Sequence, residues 1–106
     1  MKTTHELRFS NCRRMKHIKD DSVNLVVTSP PYPMIEMWDQ AFSFQSLKAT
    51  ACLENHDGHG AFEGMHEILD QVWYQVFRVL KPGGFACINI GDATRTINEK
   101  FSLFPN

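Results

Sequence analysis

The 106 residues predict an α/β chain, and three features carry that prediction. The run Val23-Asn24-Leu25-Val26-Val27 is short, apolar and bounded by a polar start and a double proline, as in a buried parallel strand. Phe85 to Ile90 reads as a second buried strand. From Met65, apolar residues recur at Ile68, Leu69, Val72, Trp73, Val76 and Leu80, the spacing of an amphipathic helix. The composition, 42% hydrophobic and 22% charged, is ordinary for one small folded domain with a modest core.

Taken in order, Glu6-Leu7-Arg8-Phe9 suggests a short strand, and Cys12, Met15, His17 and Ile18 give one side of a short helix after it. The strand at Val23 runs into Thr28-Ser29-Pro30-Pro31-Tyr32. In open α/β sheets ligands bind outside the carboxyl ends of strands, so this stretch sits where a site is expected. Two consecutive prolines fix φ near about −65° and remove two backbone donors, which stiffens the loop and aims its carbonyls outward. Ser29, preceding a proline, is held extended. A fixed hydroxyl, an aimed carbonyl and an aromatic ring make a socket for a flat, amino-bearing heterocycle. Residues 40–63 have mixed polarity and little period, which predicts a loop with at most a short helical turn. Pro82-Gly83-Gly84 then ends the long helix, and the second strand leads to Gly91-Asp92.

Ser-Pro-Pro-Tyr after a hydrophobic strand resembles the catalytic motif of DNA methyltransferases that modify exocyclic amino groups, cytosine N4 or adenine N6, with S-adenosylmethionine. The resemblance extends to Asp21–Val27 as the strand leading in and to Pro33-Met34-Ile35-Glu36-Met37-Trp38-Asp39 as an extension of the motif. It extends further to Leu80-Lys81-Pro82-Gly83-Gly84 with Phe85–Asp92 as the following turn and strand. It implies a partial Rossmann-like methyltransferase sheet, with residues 1–106 forming the N-terminal portion that carries the catalytic motif. The amino nitrogen of a nucleobase is conjugated into its ring and is a poor nucleophile. Hydrogen bonds that hold it pyramidal expose its lone pair. The resemblance assigns that task to Ser29 and the carbonyl of Pro30, within a catalytic stretch Ser29, Pro30, Pro31 and Tyr32. A serine hydroxyl is too weak a base to take the proton outright, so Ser29 would orient and stabilise charge. The base must leave the duplex to reach such a pocket, and Tyr32 is its expected stacking platform. The resemblance implies a modest lean towards cytosine, since aspartate is commoner in the first position of the family's adenine enzymes.

The family's cofactor signature, Phe-x-Gly-x-Gly after a strand, is missing. Gly58-His59-Gly60 lies in a polar stretch with no strand before it and is not such a loop. About twenty residues precede the Val23 strand, too few for a βαβ cofactor unit. That order is similar to the permuted branch of the family, in which the catalytic motif comes first and the cofactor motif last. The apolar Phe101–Asn106 resembles the family's mid-sequence. The expectation is an N-terminal half, either truncated or one subunit of a split enzyme, incomplete without a C-terminal cofactor half. The family often has Gly-Asp-Cys where Ser10-Asn11-Cys12 stands, so Asn11, with Ser29, is the expected cofactor contact. Double-stranded DNA and the missing half are the expected partners. A lone half would expose sheet edges and apolar surface and be a marginal monomer. A non-enzymatic remnant, or a binding module presenting the proline loop as polyproline II, are the alternatives.

Trp38 suits stacking on a base and filling a core equally well. Asp92 either lines the base pocket with Tyr32 and Trp38 or forms a Gly-Asp turn. Cys52, His56, His59 and His66 match no common zinc spacing, so a polar loop with surface histidines is expected and no metal site. Cys12 and Cys87 are expected in or beside the core as small hydrophobes. Three cysteines, with no signal peptide or apolar span, point to a reduced, cytoplasmic protein without membrane contact. A net charge of −1 is not a nucleic-acid footprint. Arg8, Arg13, Arg14, Lys16 and Lys19 could touch phosphate, but a solvated face suits them better.

Overall fold

A computed structural model describes residues 1–106 as four strands and three α-helices. In order these are β1 (Val23–Thr28), α1 (Asp39–Ser43), α2 (Leu47–Glu54), α3 (Gly58–Val79), β2 (Leu80–Ile88), β3 (Ala93–Ile97) and β4 (Lys100–Phe104). A single 3₁₀ turn, Glu36–Trp38, precedes α1. β1 and β2 pair in parallel, with Leu25 opposite Phe85, Val27 opposite Cys87 and Thr28 opposite Ile88. The register breaks between Val23 and Leu25, where Pro82-Gly83-Gly84 turns out of the ladder and Gly83 takes φ +80°, a left-handed conformation open to glycine. The helix expected to end at this turn does so, at Val79, and pairing resumes at Phe85.

The expectation of buried strands is corrected, because no residue of β1 or β2 is buried in this chain. Leu25 is 54% exposed, Val27 72% and Phe85 71%. On the opposite face Thr28 lines a cavity with Ile68, Leu69 and Val72 of α3, while its β2 neighbours Ala86 and Ile88 are exposed. Parallel sheets are normally covered on both faces because their crossover helices lie on both. Cys87, opposite Val27 on the open face, is exposed, as is Cys12, so neither lies in the core as expected.

The core sits away from the sheet, between the helices and the last hairpin. It comprises Met34, Phe42, Ala49, Ala61, Met65, Ile68, Leu69, Ala93 and Phe104. The loop expected over residues 40–63 is instead α1, α2 and the first turns of α3. Ser46 caps α2 by accepting from the Ala49 N–H at 3.0 Å, and Asp57 caps α3 by accepting from the Gly60 N–H at 2.9 Å. The buried face of early α3 is Gly60, Ala61 and Gly64, residues too small to register as an apolar stripe. Gly64 is required by close approach: a Cβ there would lie 2.9 Å from the Ala49 backbone nitrogen. Gly64→Ala is therefore expected to force α2 off α3 and destabilise by about 1–3 kcal/mol. Thermal unfolding followed by circular dichroism checks this, and an unchanged midpoint would show that the helices yield freely.

β3 and β4 form an antiparallel hairpin. Its two-residue turn is Asn98-Glu99, both at positive φ (50° and 66°), the hand that matches strand twist. Arg95 of β3 makes a two-pronged ion pair with Asp39 of α1, both bonds 2.7 Å, which ties the hairpin to the helices. The Asp39 hydrogen bond raises the Arg95 pKa further above its usual value.

The N-terminal strand and short helix do not form. Residues 1–9 have no regular structure and are exposed, and 11–21 hold only turns. A strand at Leu7 needs a neighbour, and both Leu7 and Phe9 lie in solvent. The turns are nevertheless fixed, because Arg78 donates to the carbonyls of Met15 and Ile18 at 2.8 and 2.9 Å and to Asp20 at 2.6 Å. The radius of gyration, 16.2 Å, exceeds the roughly 13 Å of a compact chain of this length, so the molecule is extended.

Candidate active site

The end of β1 fixes the candidate site. The ladder runs one bond past the strand, with the Asn89 N–H donating to the Thr28 carbonyl at 2.9 Å, so Ser29 emerges from a held backbone. Pro30, Pro31 and Tyr32 are half-buried, and Pro33 and Met34 are fully buried. A proline segment packed into the fold in this way is not free to dock as an extended ligand.

Ser29, Pro30 and Pro31 open onto a cavity of about 450 Å³ between the sheet end, α1, α3 and the N-terminal turns. Asn11 lines the same cavity, so two residues far apart in sequence and both expected at the cofactor meet there. Its Nδ2 donates to Gln45 Oε1 at 3.3 Å, and its Oδ1 accepts from the Arg13 N–H at 3.0 Å. Arg13 and Trp73 also line the cavity, and Arg13 Nη1 donates to Gln71 at 3.2 Å. From sequence alone Arg13 belongs on a solvated face and Trp73 on the apolar side of a helix. A tryptophan one turn beyond Leu69 is indistinguishable from core in a helical pattern until the helix is set beside the strand end.

Tyr32 is held by a separate set of contacts. Its hydroxyl accepts from Asn89 Nδ2 at 3.2 Å, and its ring lies against Gly91, where an added Cβ would sit 3.4 Å from Cε2. Ser29 thus lines the cavity, while Tyr32 is held against Gly91 and is not among the lining residues. Trp38 is half-buried against the core cluster, outside the Ser29 cavity. Asp92 is exposed just before β3 and is not among the residues lining that cavity.

The histidines and Cys52 disperse. His59 faces Glu63 at 3.3 Å, while His66 stacks edge-on against Phe62 and bonds Asn106. No group of three or more His, Cys, Asp or Glu side chains converges to hold a metal ion. A larger cleft, about 580 Å³, lies between His56, His59 and the β4 end, remote from the Ser29 motif. Cys52 is half-buried, and desolvation, then the Asp57 carboxylate, push its thiol above the ordinary value. No helix is long and apolar enough to cross a membrane.

Against known proteins, residues 23–104 match the family described as DNA methylase, of the N6 and N4 type. The chain is 53% identical over 107 residues to the Type II methyltransferase M.MthZI of Methanothermobacter thermautotrophicus, covering 100% of this chain and 30% of the relative. It is 51% identical over 115 residues to the Type II methyltransferase M.MjaI of Methanocaldococcus jannaschii, covering 98% of this chain and 38% of the relative. The chain thus spans about a third of the length of these relatives. No solved structure matches it. With most of its length matched, from the β1 strand through the β4 hairpin, the chain belongs to the N6/N4 family of DNA methyltransferases.

Proposed function

We propose that this chain is the catalytic-motif half of a DNA methyltransferase that acts on the exocyclic amino group of a flipped base, cytosine N4 in preference to adenine N6. The observation that carries the reading is the Ser29-Pro30-Pro31 segment, held at the carboxyl end of β1 and opening onto a cavity shared with Asn11. Ligands of open α/β sheets bind at such strand ends. The sheet is read as one part of a Rossmann-like fold, and the cofactor-binding region as the remainder, in the same polypeptide or a second subunit.

The residues present fit one end of the cofactor. The cavity offers the Asn11 amide, the Ser29 hydroxyl and the Trp73 ring, but no glycine loop for a nucleoside. When bound, S-adenosylmethionine supplies an electrophilic methyl group on a sulfonium. The chain's own residues then prepare the nucleophile. Ser29 Oγ accepts one amino N–H and the Pro30 carbonyl accepts the other, and together they hold the nitrogen pyramidal. Neither proline has an N–H to compete for the carbonyls, and the loop needs no reorganisation as charge develops. Tyr32, fixed by Asn89 and Gly91, offers a face for the flipped base.

The test is methyl transfer from tritiated S-adenosylmethionine to unmethylated genomic DNA, by this chain alone and by this chain joined to its cofactor-binding region. Transfer by the joined protein only is the expected outcome. A joined, folded protein that binds S-adenosylmethionine yet methylates no DNA would sink the proposal.

A further inference from the structure

We propose that Asn106 is a positioning residue for the Ser-Pro-Pro-Tyr loop, with His66 setting its orientation. The inference rests on the reading above for its catalytic consequence. Asn106 Nδ2 donates to the Pro33 carbonyl at 3.0 Å and to the Gly91 carbonyl at 2.8 Å. Carbonyls only accept, so the amide nitrogen must face them and Oδ1 must face His66 Nε2, 2.9 Å away. That oxygen in turn requires His66 to carry its proton on Nε2. All three polar positions of this side chain are therefore specified.

The two carbonyls are not arbitrary. Pro33 directly follows Tyr32, and Gly91 is the residue on which the Tyr32 ring rests. The contacts close a loop: Tyr32 backbone, Pro33 carbonyl, Asn106, Gly91, and back to the Tyr32 ring. The Asn89 bond to the Tyr32 hydroxyl braces the same ring from β2. Asn106 thereby fixes the distance between the backbone that carries the platform and the seat that supports it.

The loop needs such a fastening. Met34, next in sequence, has φ +68° with a side chain, a conformation that persists only where its surroundings impose it. Met34 is buried, and its N–H points at Met65 Sδ, 3.3 Å away, which secures the far side of the strained residue. Asn106 secures the near side. Without it, relaxation at Met34 would swing Pro33 and shift Tyr32 from Gly91. Displacements of this kind, on the order of 1 Å, are enough to lower turnover about a hundredfold in a site that works by orientation.

Asn106→Asp tests this at nearly constant volume, since it replaces both donors by an acceptor facing two carbonyls. Tyr32 and Tyr74 are the two tyrosines, so ring-labelled tyrosine gives an assignable NMR signal. The Tyr32–Gly91 nuclear Overhauser effect of the chain is expected to vanish in the variant. In the joined protein, kcat is expected to fall roughly tenfold to a hundredfold. KM for S-adenosylmethionine should stay within about twofold, the signature of lost orientation. His66→Gln, which keeps a donor for Oδ1, should retain both signals, whereas His66→Leu should lose them, and this pair decides the matter if Asn106→Asp does not fold. An unchanged Overhauser effect and kcat overturn the inference, as does activity lost only in proportion to thermal stability. If the wild-type joined protein transfers no methyl group, the methyltransferase reading fails, while the NMR arm still decides whether Asn106 positions Tyr32.

Discussion

Ser29→Ala is expected to reduce methyl transfer by roughly two to three orders of magnitude in the joined protein, the usual loss when one preorganised partner of a developing charge is removed. The substitution removes a single oxygen from an exposed position, and no hydrogen bond within the fold involves that hydroxyl, so the melting temperature should not move. The backbone path is set by Pro30 and by the Asn89 bond to Thr28, neither of which needs the Ser29 side chain. Activity and stability should therefore separate cleanly. Cofactor affinity, measured by calorimetry in the absence of DNA, should change far less than kcat, because the hydroxyl acts chiefly on the amino group. An active Ser29→Ala protein would mean that the Pro30 carbonyl alone orients the nitrogen, or that chemistry occurs elsewhere.

The site was legible where a local rule acts on few residues. Ser29-Pro30-Pro31 declares its own stiffness, and a strand before it declares its position, so the motif could be read without any tertiary information. Asn11 was legible only by resemblance, since no local property of that residue marks it as lining the Ser29 cavity. α2 and the first turns of α3 escaped because their buried faces are built from Ala49, Gly60, Ala61 and Gly64, small residues that leave no apolar stripe, and α1 because it is five residues long with Phe42 alone buried. Their caps, Ser46 and Asp57, were the available signals. The hairpin escaped because Asn98-Glu99 lacks the glycine that usually announces such a turn. Asn106 could not be found from sequence at all: its partners lie 73, 40 and 15 residues away.

Leu25, Val27, Phe85 and Cys87 share one exposed face of the β1–β2 sheet, and no residue of either strand is buried, so this chain holds its parallel pair without the two covering layers that are normal. A two-stranded sheet is at best marginal by itself. The occupant proposed for the open face is the cofactor-binding region. Phe85→Asp is then expected to abolish complementation between separately made halves. Burying an unpaired carboxylate in place of a phenyl ring costs several kcal/mol, and the group would sooner keep the halves apart. In the isolated chain the same substitution lies in solvent, so its fold should be retained and self-association, seen by sedimentation at increasing concentration, should decline. The opposite signs in the two settings are what make the experiment decisive. A Phe85→Asp chain that still restores methyl transfer would place the cofactor-binding region elsewhere, whereas one that unfolds alone would show that Phe85 serves the core of this half.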